Sequence, residues 1–89
     1  MRSRYLEVTF RRGRAVAAYL YLSRKPGAEV ARTSDGGGGI RIDFDGDGTP
    51  MGIEITAPLA TPAAEIDALL IRLGQAPLDS DDWAPLRAA

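Results

Sequence analysis

The chain has 89 residues, no cysteine, no histidine and a formal net charge of −1. That length implies a single domain over residues 1–89, burying only about 60–65% of its unfolded surface and leaving stability marginal without a partner subunit. The missing residue types exclude a disulfide framework, thiolate chemistry, the commonest zinc ligand and the usual general base, and no apolar run suits a membrane span or an export signal, so a cytoplasmic protein is expected.

Residues 5–10 alternate, with Leu6, Val8 and Phe10 on one side and Tyr5, Glu7 and Thr9 on the other, which predicts a strand. Arg11, Arg12, Gly13 and Arg14 read as a turn. Residues 15–22 begin with an Ala-rich stretch that suits a helical turn, but Tyr19, Leu20, Tyr21 and Leu22 alternate as a strand does. Tyr19 and Tyr21 then share one face and Leu20 and Leu22 the other. Residues 24–27 end in Pro26-Gly27, a strong turn signal. Residues 28–33 read as a short strand near an edge. Residues 34–39, with four successive glycines, read as a flexible connection.

Residues 40–55 organise the rest. Ile40, Ile42 and Phe44 alternate with Arg41, Asp43 and Asp45, and Met51, Ile53 and Ile55 form a second apolar set. Pairing Phe44 with Met51, Ile42 with Ile53 and Ile40 with Ile55 places every apolar residue on one side of a hairpin. A slip of one residue would mix the faces, so the register is strongly specified. It leaves residues 46–49 as the loop, sets Arg41 opposite Glu54, and puts Pro50 at the start of a strand, where its missing N–H does no harm.

The same stretch spells a calcium loop: Asp43, Asp45, Asp47 and Gly48, then Glu54 six residues on. That motif needs a helix on either side, and both flanks here are strand-patterned. No metal site is therefore assigned, a weak calcium contact at the acidic turn being the alternative. The four glycines are not followed by Gly-Lys-Ser/Thr, so no phosphate loop is assigned and no cofactor is expected.

After the hairpin, Thr61 suits an N-cap and Pro62 the first helical position. Ile66, Leu69, Leu70 and Leu73 form one apolar stripe, and Gly74 followed by Pro77 stops the helix, giving a predicted helix over 61–74. Residues 75–89 form an acidic tail with a lone tryptophan, Trp83. It either folds back on the domain or is held out as an anchor for a partner. The fold class is thus α+β: an antiparallel sheet of four to five strands over residues 5–57 with one C-terminal helix packed on it.

Charge is unevenly spread. Residues 1–34 carry eight basic and two acidic groups, net +6, and residues 35–89 carry three basic and ten acidic, net −7. Such asymmetry predicts a bipolar surface and contacts between opposite charges. Nucleic-acid binding through Arg11, Arg12 and Arg14 is disfavoured by the acidic second half. Catalysis is not expected: Asp43, Asp45, Asp47 and Glu54 cluster at a wet turn that would not split their pKa values, and no base is present to activate a hydroxyl.

The order of these pieces, with Ile40 to Asp45 and then Gly48 and Met51-Gly52-Ile53-Glu54-Ile55, resembles a small bacterial family, domain of unknown function 2283, over roughly residues 5–57. The family's Asp before the Ala-Leu-Tyr stretch is replaced here by Val16, Ala17 and Ala18. The resemblance implies a compact antiparallel sheet and no reaction. Some members resemble halves of two-gene pairs beside toxin-like proteins, which implies an antitoxin-like role with a partner encoded nearby as one alternative. The principal expectation is a non-catalytic module that self-associates as a dimer or binds another protein, with Tyr19, Tyr21 and Trp83 as candidate interface residues.

Overall fold

Five short segments of alternating or glycine-punctuated sequence form one antiparallel sheet in the computed structural model, which describes residues 4–23 and 25–87. The strands are β1 (Tyr5–Arg11), β2 (Arg14–Tyr21), β3 (Arg32–Gly37), β4 (Ile40–Phe44) and β5 (Pro50–Ile55), followed by a 3-10 turn (Pro58–Ala60), α1 (Ala63–Arg72) and α2 (Ser80–Arg87). Their spatial order is β1-β2-β5-β4-β3. The hairpin β4–β5 therefore lies inside the sheet, flanked by β2 on one side and β3 on the other. Between β2 and β3, Leu22 N–H bonds the Met51 carbonyl at 3.0 Å and Ala31 N–H bonds the Phe44 carbonyl at 2.8 Å, which places both ends of this connection beside the β4–β5 hairpin.

The register of the central hairpin follows the apolar pattern: Ile40 opposite Ile55, Arg41 opposite Glu54 and Ile42 opposite Ile53. One expectation is corrected. Phe44 faces Pro50, not Met51, because the ladder shifts after Asp43 and Met51 becomes the unopposed residue of a bulge. The cause is the turn. The Asp45 carboxylate accepts the N–H groups of Asp47 and Thr49, both at 2.9 Å, and Asp45 N–H bonds the Thr49 carbonyl, so the loop takes five residues, 45–49.

A second correction concerns β3. The strand begins at Arg32, four residues later than expected, and runs into the glycines. Gly38 and Gly39 form a two-residue turn with φ of 59° and 80°, the positive values such a hairpin loop requires. Gly39 also admits Thr56, whose N–H and hydroxyl both reach the Gly39 carbonyl. The glycine run is a hairpin, not a linker.

Leu6, Ala18, Leu20, Ile40, Ile42, Ile53 and Ile55 form the inner face, and Ile66, Leu69 and Leu70 of α1 with Leu78 and Trp83 close over it. The end of α1 is fixed by two bonds, Gln75 N–H to the Leu70 carbonyl and Gly74 N–H to that of Ile71, with Gly74 at φ 76°. Its start differs by one residue. Pro62 is the cap, and the Thr61 hydroxyl instead donates to the Ala57 carbonyl at 2.8 Å.

Within the acidic tail expected over residues 75–89, Ser80–Arg87 form a second helix, where one C-terminal helix was expected. Asp79 and Asp82 cap it reciprocally: the Asp79 carboxylate accepts Asp82 N–H at 2.9 Å and the Asp82 carboxylate accepts Asp79 N–H at 3.1 Å. Arg4 holds this region to the sheet. Its guanidinium donates to the Ala76 and Pro77 carbonyls and lies 3.5 Å from the Asp82 carboxylate. No helix among the described residues is long and apolar enough to cross a membrane. Arg24, the first residue of the expected 24–27 turn, and the chain ends at 1–3 and 88–89 lie outside the described residues.

Candidate functional site

Strand alternation sends Tyr5, Glu7, Tyr19, Tyr21, Arg41, Asp43, Gly52, Glu54 and Thr33 to the face that neither helix covers. Aromatic residues gather where β1 starts and β2 ends. The Tyr5 and Tyr21 rings stack with centroids 4.5 Å apart and planes 15° from parallel, and Tyr19 tilts against Tyr21 at 4.7 Å and 56°. Pairs of this kind contribute about 0.5–1.5 kcal/mol beyond their buried area.

From this cluster Tyr19 reaches across β5. Its hydroxyl donates to Asp43 Oδ2 at 2.5 Å, while the Thr33 hydroxyl donates to Asp43 Oδ1 at 2.6 Å. One carboxylate on β4 thereby ties β2 to β3 across the two strands that separate them. The reach depends on Gly52: a Cβ there would sit 2.2 Å from the Tyr19 hydroxyl oxygen and 2.4 Å from its ring. Sequence reasoning missed both parts of this brace. A lone glycine inside a strand pattern was the available signal, since it often marks a close approach.

The three candidate interface residues do not come together. Tyr19 and Tyr21 are half-buried on the uncovered face. Trp83 is 6% exposed in the core beneath α2, on the opposite side of the sheet. It folds back on the domain, because the Asp79–Asp82 cap and the Arg4 contacts seat α2 against β1. As an anchor for a partner it is corrected: its indole is already spent on the chain's own interior.

The calcium spelling is likewise taken up by hairpin structure. Asp43 serves two hydroxyls, Asp45 closes its own loop, and Glu54 faces Arg41 on the ladder. Among the described residues no group of three or more acidic side chains is placed to hold a metal ion. An open groove of about 570 Å³ beside the β3–β4 turn is lined by Thr33, Asp35, Arg41 and Thr56 with the glycines. Its wide mouth and mixed polar lining converge on no single atom of a ligand.

The charge asymmetry becomes spatial. Arg11, Arg12 and Arg14 stand at the β1–β2 turn, where Arg12 and Gly13 adopt φ of 53° and 78°. All three are exposed, and among the described residues none makes an ion pair. Asp45 and Asp47 stand at the β4–β5 turn, at the other end of the strands.

The two lateral edges also differ. Among the described residues, no backbone hydrogen bond outside the β1–β2 ladder involves residues 6–11, so this stretch of β1 has an open outer edge. Its irregularity falls on β2, where Val16 is unopposed between Ala15 and Ala17, and β1 keeps its alternation. Phe10, on the inner side of this edge, is 39% exposed.

Residues 17–57 match the model of a family described as protein of unknown function (DUF2283). The match spans β2 to β5 and leaves β1, α1 and α2 outside it. No curated protein and no solved structure matches the chain.

Proposed function

We propose that this chain, whose residues 17–57 carry the DUF2283 match, is a non-catalytic module of the cytoplasm that works by self-association. The observation that carries the reading is the open edge of β1, a regular seven-residue strand at one of the sheet's two margins. Edge strands of this kind present a row of N–H and C=O groups to solvent and template pairing with another chain. A domain of 89 residues also gains disproportionately from a partner, because its own core is small.

The absence of catalysis is supported by how the acids are employed. Asp43 and Asp45, the best-placed candidates, accept hydrogen bonds that hold strands and a turn, and neither is paired with a base. Sedimentation velocity on the purified chain tests the reading. A species of twice the 9.5 kDa chain mass at tens of micromolar supports it, and a monomer at every concentration rejects it.

A further inference from the structure

Resting on that self-association reading, we propose that two copies join through β1, antiparallel about a two-fold axis at Thr9, to make one continuous sheet of ten strands, five from each copy. In this register residues 7–11 of one copy lie opposite residues 11–7 of the other. Glu7 faces Arg11 of the second copy, and Arg11 faces its Glu7, so two opposite-charge pairs form by symmetry. On the other side of the strand Val8 faces Phe10 of the second copy and Phe10 faces its Val8. The half-buried Val8 and the 39% exposed Phe10 thus cover each other.

Neighbouring two-fold registers lack this match. Centred on Glu7, like charges oppose directly; centred on Val8, Glu7 faces Thr9 and Arg11 faces Tyr5; a shift to an odd sum exchanges the faces altogether. The strand also carries none of the usual protections: no proline, no bulge on its own backbone, and no charge among its inward residues Leu6, Val8 and Phe10. Among the described residues Glu7 accepts a long 3.4 Å bond from the Tyr21 hydroxyl, and its side chain is exposed toward the place a second chain would take.

The chain has no cysteine, so single-cysteine variants report the register directly. Opposed residues in an antiparallel pair have Cα atoms about 4.5–5.5 Å apart, within disulfide reach. Thr9→Cys is expected to cross-link into a covalent dimer under mild oxidation, and Ser34→Cys on β3 to remain uncross-linked. The companion test uses charge reversal. Glu7→Arg and Arg11→Glu should each weaken homodimers by about tenfold, because both pairs become repulsive. Mixed in equal amounts, the two variants should recover a heterodimer, since both pairs are complementary again. That recovery also shows that each variant folds. A dimer that resists Thr9→Cys cross-linking and ignores both reversals overturns this register while leaving self-association intact. A wild-type monomer at all concentrations overturns both.

Discussion

β1 and β3 bound the same sheet, but they are built from different residues and present different edges. β3 is interrupted after Asp35, where Gly36 is unopposed, and ends in Gly37 at φ 85°, with the Asp35 carboxylate holding the Gly37 N–H at 2.7 Å. Arg32 lies over the Phe44 ring at 4.1 Å and donates to Ser34, so this edge carries its own charge and aromatic cover. Bulge, glycine and charge are devices that discourage a further strand. β1 has seven residues in regular alternation, with no glycine and no bulge on its own backbone, and its two charges, Glu7 and Arg11, are of opposite sign and so complement a second copy. The contrast teaches which margin the proposed pairing uses: β1 is the one left regular, and β3 the one interrupted by glycine and bulge. A closed pair of chains follows from one open edge and one blunted edge, whereas two open edges would permit a filament.

The comparison can be broken at its centre. Ile53 is fully buried on the strand that joins both hairpins, opposite Leu20 and Ile42. Ile53→Ala is expected to cost about 2–5 kcal/mol in urea unfolding and to abolish association by unfolding the chain. Gly52→Ala comes next. Its new methyl would collide with the Tyr19 ring, so a loss of about 1–3 kcal/mol is expected, with an unchanged m-value if the fold survives.

Smaller effects separate the edges. Phe10→Thr should weaken the dimer by about tenfold, because aromatic cross-strand contacts are lost twice by symmetry, while circular dichroism of the monomer stays unchanged. Asp45→Ala removes two loop hydrogen bonds and should cost about 1 kcal/mol without altering association, read from the urea midpoint and from sedimentation. The smallest effect is expected from Asp35→Lys on the blunted edge, which should leave the dimer dissociation constant where it was.

Much of this architecture was legible because apolar residues recur at a fixed period. The pairing of Ile40, Ile42, Ile53 and Ile55 and the stripe Ile66, Leu69, Leu70 on α1 needed nothing beyond alternation and helical spacing. What stayed hidden was carried by side chains that act on backbone or by missing side chains. The extra loop residue comes from the Asp45 carboxylate, which has no periodic signature. β3 is built partly of glycines, which show no pattern to read. α2 is short, acidic and contains Pro85, so its cap, Asp79 with Asp82, was the only cue and it lay within a run of acids. On the uncovered face, the tyrosines were placed together correctly, but the carboxylate that receives Tyr19 could not be found without knowing that β4 lies two strands away from β2.

Oxidative cross-linking of Thr9→Cys is the most direct measurement, because it reads the position of one residue against its own copy. The account predicts a covalent dimer that forms at tens of micromolar chain concentration and needs about tenfold more chain when Glu7→Arg is added. A chain that dimerises yet stays uncross-linked at residue 9, or that cross-links equally well from Ser34→Cys on β3, would contradict it.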